Sequence, residues 1–260
     1  MTAPLLHFES VTQRFGGLTA LDAVGFDVGA GEIVGLIGPN GSGKSTLVNI
    51  MTGTLTPTSG RVLMDGQQIS GTAPWRIARA GVARTFQMLR LFRTMTVAQN
   101  IALAMQPTME AGYCASMLRT SLARREDTQA RRKAAEMLAL FELDGFLDHP
   151  ATTLSIGQQR MVELARGLAT APRVFVLDEP AAGLSPPNVD RLIKVLRRMR
   201  DDYGVTVLLV EHVMRVVQAV CDRVVVLDFG EKIADATPAV AINDPRVVEA
   251  YIGLGRAKHD

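Results

Sequence analysis

Nine consecutive residues constrain this chain more than any other stretch: Gly38, Pro39, Asn40, Gly41, Ser42, Gly43, Lys44, Ser45 and Thr46. They satisfy the pattern G-x-x-x-x-G-K-[ST]. The apolar run Ile33–Ile37 precedes them and the helix-like Leu47–Ile50 follows, so a strand, a glycine-rich turn and a helix must succeed one another here. Glycines let backbone amides turn inward around an anion where side chains would obstruct. The following helix adds about half a positive charge at its N-terminus. Lys44 is placed to reach the outer phosphates of a nucleotide, and the Ser45 hydroxyl to ligate magnesium. A strand–turn–helix that binds nothing is the plain alternative, and Lys-Ser in register argues against it.

Apolar runs recur along the chain. Leu5–Val11 and Val24–Val28 read as strands, and Arg61–Gly66 as a strand closed by an Asp-Gly turn. Val174–Leu177, Val205–Val210 and Val224–Leu227 are continuous, as suits strands covered on both faces in a parallel sheet. Helical spacing separates them, at Met161, Leu164, Ala165 and Leu168, at Val189, Leu192, Ile193, Leu196 and Met199, and at Val213, Val216, Val217 and Val220. Strands alternating with helices predict an α/β fold with a mostly parallel core sheet. From Gln87 to Thr153 the strand signal gives way to helix, marked by Ala130, Ala134, Met137, Leu138 and Phe141. That stretch is expected to be an inserted helical subdomain.

Net charge is only +2, with Lys and Arg scattered, so nothing points electrostatically to nucleic acid as a partner. Cys114 and Cys221 lack metal-ligand spacing and read as packing residues of a reducing compartment. The N-terminus has no secretory pattern and no apolar stretch approaches the roughly 20 residues that span a bilayer. A cytoplasmic protein is expected, with any membrane role exercised through a partner.

Val174–Leu177 runs into Asp178, Glu179 and Pro180, which places two carboxylates at the C-terminal end of a strand. Open α/β sheets put their ligands there. Adjacent acids repel, a cost that makes sense beside a cation. Asp178 is expected to help hold magnesium and Glu179 to orient or deprotonate an attacking water. Upstream, Leu154–Gln159 reads Leu-Ser-Ile-Gly-Gln-Gln. Ser155 with Gln158 forms a capping box for the next helix, a complete structural explanation by itself, and a capped helix start with a glycine beside it is also an anion site.

On these residues the chain resembles the ABC transporter ATPases, whose LSGGQ motif precedes the acidic pair in this way. The match runs from about Leu5 to Gly253. The resemblance implies a P-loop ABC-ATPase fold with an N-terminal antiparallel β subdomain. Residues 1–253 are then one ATPase domain, with 1–86 and 170–253 as the nucleotide-binding core, 87–169 as the helical subdomain and 254–260 as a tail. It implies that Ser155, Gly157 and Gln158 meet the γ-phosphate of ATP held by another subunit, so that one cassette supplies half of each site. It further implies that Phe15 stacks on adenine and that Gln87 is the glutamine loop, on the metal and facing the membrane subunit. Ala182–Ser185 is the loop exchanged between subunits, and His212 supports the attacking water. Three positions depart from the family: Ile156 replaces a glycine, which predicts no positive φ there, Ser185 replaces the commoner Asp, and Phe15 the commoner Tyr.

Phe15–Leu21, Arg84–Gln87 with Leu91 and Phe92, Pro180–Leu184, Tyr251–Gly253 and the Gln106–Arg125 insert look like the branched-chain amino acid importer ATPases. Related cassettes drive urea or amide uptake or lipopolysaccharide extraction, and others are soluble non-transport ATPases. The implied cofactors are ATP and Mg2+. The implied partners are a second copy or a paralogous ATPase subunit, transmembrane permease subunits and, indirectly, a substrate-binding protein. The implied location is the cytoplasmic face of the inner membrane, held there peripherally.

Overall fold

The computed structural model of the chain describes residues 3–85, 91–105 and 121–252. Cα packing divides it into two compact units, Met1–Arg84 with Arg173–Glu179 and Arg197–Asp260, and Thr85–Pro172 with Pro180–Leu196.

The first unit holds two sheets. Strands β1 (Leu6–Phe15) and β2 (Leu18–Val28) form a hairpin, joined at β1 by β4 (Ser59–Met64), which in turn pairs with β5 (Gln67–Gln68), all antiparallel. The second sheet has the order β10-β9-β3-β8-β7-β6. Its members are β3 (Ile33–Ile37), β6 (Val82–Arg84), β7 (Val174–Asp178), β8 (Thr206–Val210), β9 (Arg223–Asp228) and β10 (Glu231–Ala236). Every neighbouring pair is parallel except β9 with β10. The α/β expectation, with a mostly parallel core sheet and an N-terminal antiparallel sheet, describes this unit.

Each residue of β3, β7 and β8 is buried, which is why their sequences run apolar without alternation. The alternation reappears in what they touch. Val34 and Leu36, Val174 and Val176, Leu208 and Val210, and Val225 and Leu227 share one core cluster with Leu47, Val48, Ile50 and Met51 of α1 (Lys44–Met51). That cluster extends to Leu6, Phe8, Val11, Val24 and Phe26 of the antiparallel sheet, where Phe8 and Phe26 stack at 4.2 Å. One face of helix α1 is thereby fixed against the core, which anchors the helical end of the loop that feeds it.

The second unit is helical where it is described. Helices α3 (Val97–Met105), α4 (Ser121–Leu140) and α5 (Ile156–Ala169) pack on one another in all three pairs. Val97, Ile101, Ala134, Met137, Leu138, Met161, Leu164 and Ala165 are buried there. Two further helices are the short α2 (Pro74–Arg79) of the first unit and the longer α6 (Pro186–Asp201), which runs past the boundary at Leu196.

Candidate nucleotide site

Strand β3 delivers the chain to Gly38, where φ is +145° and an added Cβ would lie 2.0 Å from the Leu227 carbonyl oxygen. Only glycine fits there. The loop closes through Ser42, whose carbonyl accepts from Gly230 N–H at 3.1 Å, and α1 begins at Lys44. Lys44 Nζ folds back onto the loop, donating to the carbonyls of Gly38 and Pro39 at 2.7 Å each and lying 3.4 Å from Ser42 Oγ. Burial lowers the Lys44 pKa from its ordinary value, while the charges of Glu179 and Asp178 work to raise it. The ammonium therefore shares an electrostatic neighbourhood with the acidic pair. Ser45 is exposed, and Thr46 is half-buried.

Asp178 ends β7, paired across to Val210 of β8, and Glu179 follows in a left-handed conformation at φ +50°. Glu179 N–H donates to the Val210 carbonyl at 2.9 Å. His212 Nδ1 stands 3.9 Å from Glu179 Oε1. The loop carrying His212 is held by the buried Glu211 carboxylate, which accepts the N–H groups of His212 at 2.9 Å and Val213 at 3.0 Å. Asp178 receives Arg84 Nη2 at 3.1 Å.

Ser45 and Asp178 supply oxygen donors, the chemistry a hard divalent cation takes. Among the described residues no three His, Cys, Asp or Glu side chains group as a metal cage. That donor set fits magnesium completed by phosphate oxygens and water rather than by protein alone.

Phe15 lies at the tip of the β1–β2 hairpin, 48% exposed, beside Gly16 at φ +58°. Its ring is accessible for stacking. In the helical unit Ser155 caps α5. Its Oγ accepts from Gln158 N–H at 3.3 Å, and its own N–H donates to Gln158 Oε1 at 2.9 Å. Ile156 is the first helical residue and is not among the positive-φ positions. An added Cβ at Gly157 would meet Asn188 Nδ2 of α6 at 2.4 Å, so a larger residue there would have to displace that side chain. Gln87, Cys114, most of the Gln106–Arg125 insert and the 254–260 tail lie outside the described residues.

Two residues that bear on the site escaped sequence reading. Arg84 was singled out only as part of a motif, because β6 is too short to announce itself and its link to Asp178 spans 94 positions. Glu211 has a local signal in hindsight, an acid at the end of a buried strand immediately before His212.

Comparison with known proteins adds an independent line. The ABC transporter family model matches residues 21–182. The high-affinity branched-chain amino acid transport ATP-binding protein BraF of Pseudomonas aeruginosa is 41% identical, with 97% of this chain and 99% of that protein covered. The ADP conformation of MJ1267, an ATP-binding cassette of an ABC transporter, superposes at a TM-score of 0.83 with 33% identity, covering 97% of this chain and 100% of that one. A dimeric post-hydrolysis state of the cassette MJ0796, bound to ADP and Pi, superposes at 0.75 with 26% identity, covering 90% and 98%.

Proposed function

The chain belongs to the ABC transporter family, and from that premise we propose that it is the ATP-binding and ATP-hydrolysing subunit of an importer for branched-chain amino acids. One observation carries hydrolysis: the same unit brings the Lys44 ammonium, Asp178, Glu179 and His212 to the ends of neighbouring strands. The substrate class is supported by the likeness to BraF, which extends over nearly the whole of both chains.

The phosphates enter the loop Gly38–Thr46 and take Lys44 Nζ from the carbonyls it now serves. Loop amides and the α1 N-terminus receive the phosphate oxygens. Magnesium, when bound, neutralises charge developing on those oxygens, and Ser45 and Asp178 are the side chains that hold it, with Gln87 as a further ligand. Phe15 stacks on the adenine ring. Glu179 accepts a proton from water as the water oxygen attacks the γ-phosphorus and the bond to the β–γ bridging oxygen breaks. His212, within 3.9 Å of Glu179, orients that water.

The second half of the site comes from a partner copy, or from a paralogous subunit. Its Ser155 hydroxyl accepts a bond within the capping box, which leaves the hydroxyl proton to donate to the γ-phosphate. The Gly157 amide lies in the same first turn, at a helix N-terminus that favours anions, while the Gln158 amide donates to the Ser155 hydroxyl and so fixes it beside the phosphate. Permease subunits then hold the pair at the cytoplasmic face of the inner membrane, and a substrate-binding protein selects the solute. Among the described residues no helix is long and apolar enough to cross a membrane, which accords with a membrane role exercised through partners.

Glu179→Gln tests both parts. Phosphate release by the purified protein is expected to fall by about 10²–10⁴-fold with ATP still bound. In cells carrying the variant in place of the parent chain, leucine, isoleucine and valine uptake is expected to drop to background. Unchanged phosphate release would remove Glu179 as the base, and loss of urea uptake with leucine uptake intact would overturn the substrate class.

A further inference from the structure

Arg84 ends β6 and its guanidinium reaches in two directions. Nη2 donates to Asp178 Oδ2 at 3.1 Å, the side chains being 14% and 10% exposed. Nη1 donates to Asn49 Oδ1 at 2.8 Å and Thr52 Oγ1 at 3.1 Å. Asn49 lies in α1, the helix that starts at Lys44, and Thr52 is its C-cap. Thr52 Oγ1 spends its own proton on the Val48 carbonyl at 2.8 Å, so its lone pairs face Arg84. One planar group thus ties the end of β7 to the C-terminal end of the phosphate-loop helix, where the helix dipole favours a cation.

We infer that Arg84 is a positioning residue for the reaction: it fixes the Asp178 carboxylate relative to α1, and so relative to the Lys44–Ser45 end of the phosphate loop. This rests on the nucleotide site proposed above. Three observations support it. A buried Arg–Asp pair is a weak source of stability, because desolvation offsets the attraction, so stability alone does not account for it. The guanidinium fork offers fixed donor directions to three acceptors on two elements, which a lysine ammonium cannot match. Asp178 Oδ2 is held by Arg84, which sets the plane in which the carboxylate can meet a cation. Groups that orient metal ligands from behind typically govern affinity by about 10–100-fold.

The test measures Mn2+ binding, by the loss of the free-ion EPR signal, in the full chain with the non-hydrolysable analogue AMP-PNP. The parent must bind Mn2+ in a nucleotide-dependent way, and if it does not, the nucleotide-site reading itself fails. Arg84→Met is expected to raise the Mn2+ Kd by about 10–100-fold, with AMP-PNP affinity in the absence of metal unchanged. Arg84→Lys, which keeps the charge without the fork, is expected to remain impaired. Asn49→Ala, which cuts only the α1 end of the link, is expected to shift Kd in the same direction by a smaller factor, and it keeps the inference testable should Arg84→Met not fold. Parent-like Mn2+ affinity in Arg84→Met or Asn49→Ala, or full affinity in Arg84→Lys, would overturn the inference and leave the nucleotide site standing.

Discussion

A carboxylate held at φ +50° is under backbone strain worth about 1–2 kcal/mol, because Cβ crowds the following carbonyl. Glu179 is held there by its N–H bond to the Val210 carbonyl, against the preference for extended backbone that the following proline imposes. Its negative charge also sits next to that of Asp178. Glu179→Gly should relieve both costs, partly offset by glycine's greater freedom in the unfolded chain. The unfolding free energy without nucleotide should then be unchanged or raised by up to about 1 kcal/mol, read as an unchanged or higher thermal midpoint, while phosphate release collapses. A clearly lowered midpoint would mean that the conformation carries no strain. The pair of acids was legible in the sequence, since a buried run ending in Asp-Glu-Pro places them at a strand end. The left-handed turn was not, because it depends on a partner strand remote in sequence.

Just before α3, the short segment from Phe92 to Thr96 has no fully buried side chain to hold it. It is held instead by Asn100, fully buried in α3. Asn100 Oδ1 accepts the Phe92 N–H at 2.7 Å, and Nδ2 donates to the carbonyls of Phe92 at 3.1 Å and Thr96 at 3.0 Å. Thr96 and Gln99 add a reciprocal cap, Thr96 N–H to Gln99 Oε1 at 2.9 Å and Gln99 N–H to Thr96 Oγ1 at 3.2 Å. Asn100→Ala removes three bonds and leaves the Phe92 N–H without its buried acceptor, costing about 1–3 kcal/mol locally. Amide hydrogen exchange at Phe92–Thr96 should accelerate by about 10–100-fold; unchanged protection would show that the segment is held by something else. Local signals of this kind were readable in advance at α5, where Ser155 and Gln158 lie three apart and cap as expected. Strands β6 and β10 were not. Val82–Arg84 is three residues long, and β10 has only half-buried and exposed positions, so neither carries the apolar run that betrayed β3, β7 and β8.

At the scale of the whole molecule, the proposed shared site draws one half from each unit. The first carries the phosphate loop, the acidic pair and His212, and the second carries the capped helix at Ser155. The central strands of the first unit, β3, β7, β8 and β9, were legible because parallel burial writes itself as continuous apolar sequence. The sequence of one chain does not carry which molecule the Ser155 end of α5 faces, since the capping box explains Ser155 and Gln158 without any ligand. The proposed pair of copies sharing two nucleotides would answer that, and the likeness to a dimeric cassette bound to ADP and Pi supports it. Static light scattering on Glu179→Gln tests it most directly. With Mg2+ and ATP the scattering mass should double from that of one chain, and adding Ser155→Arg, which drives a bulky side chain into the shared seam, should return it to a single chain. A Glu179→Gln protein that keeps the mass of one chain with Mg2+ and ATP bound, beside a parent chain that releases phosphate while equally single, would contradict the shared site.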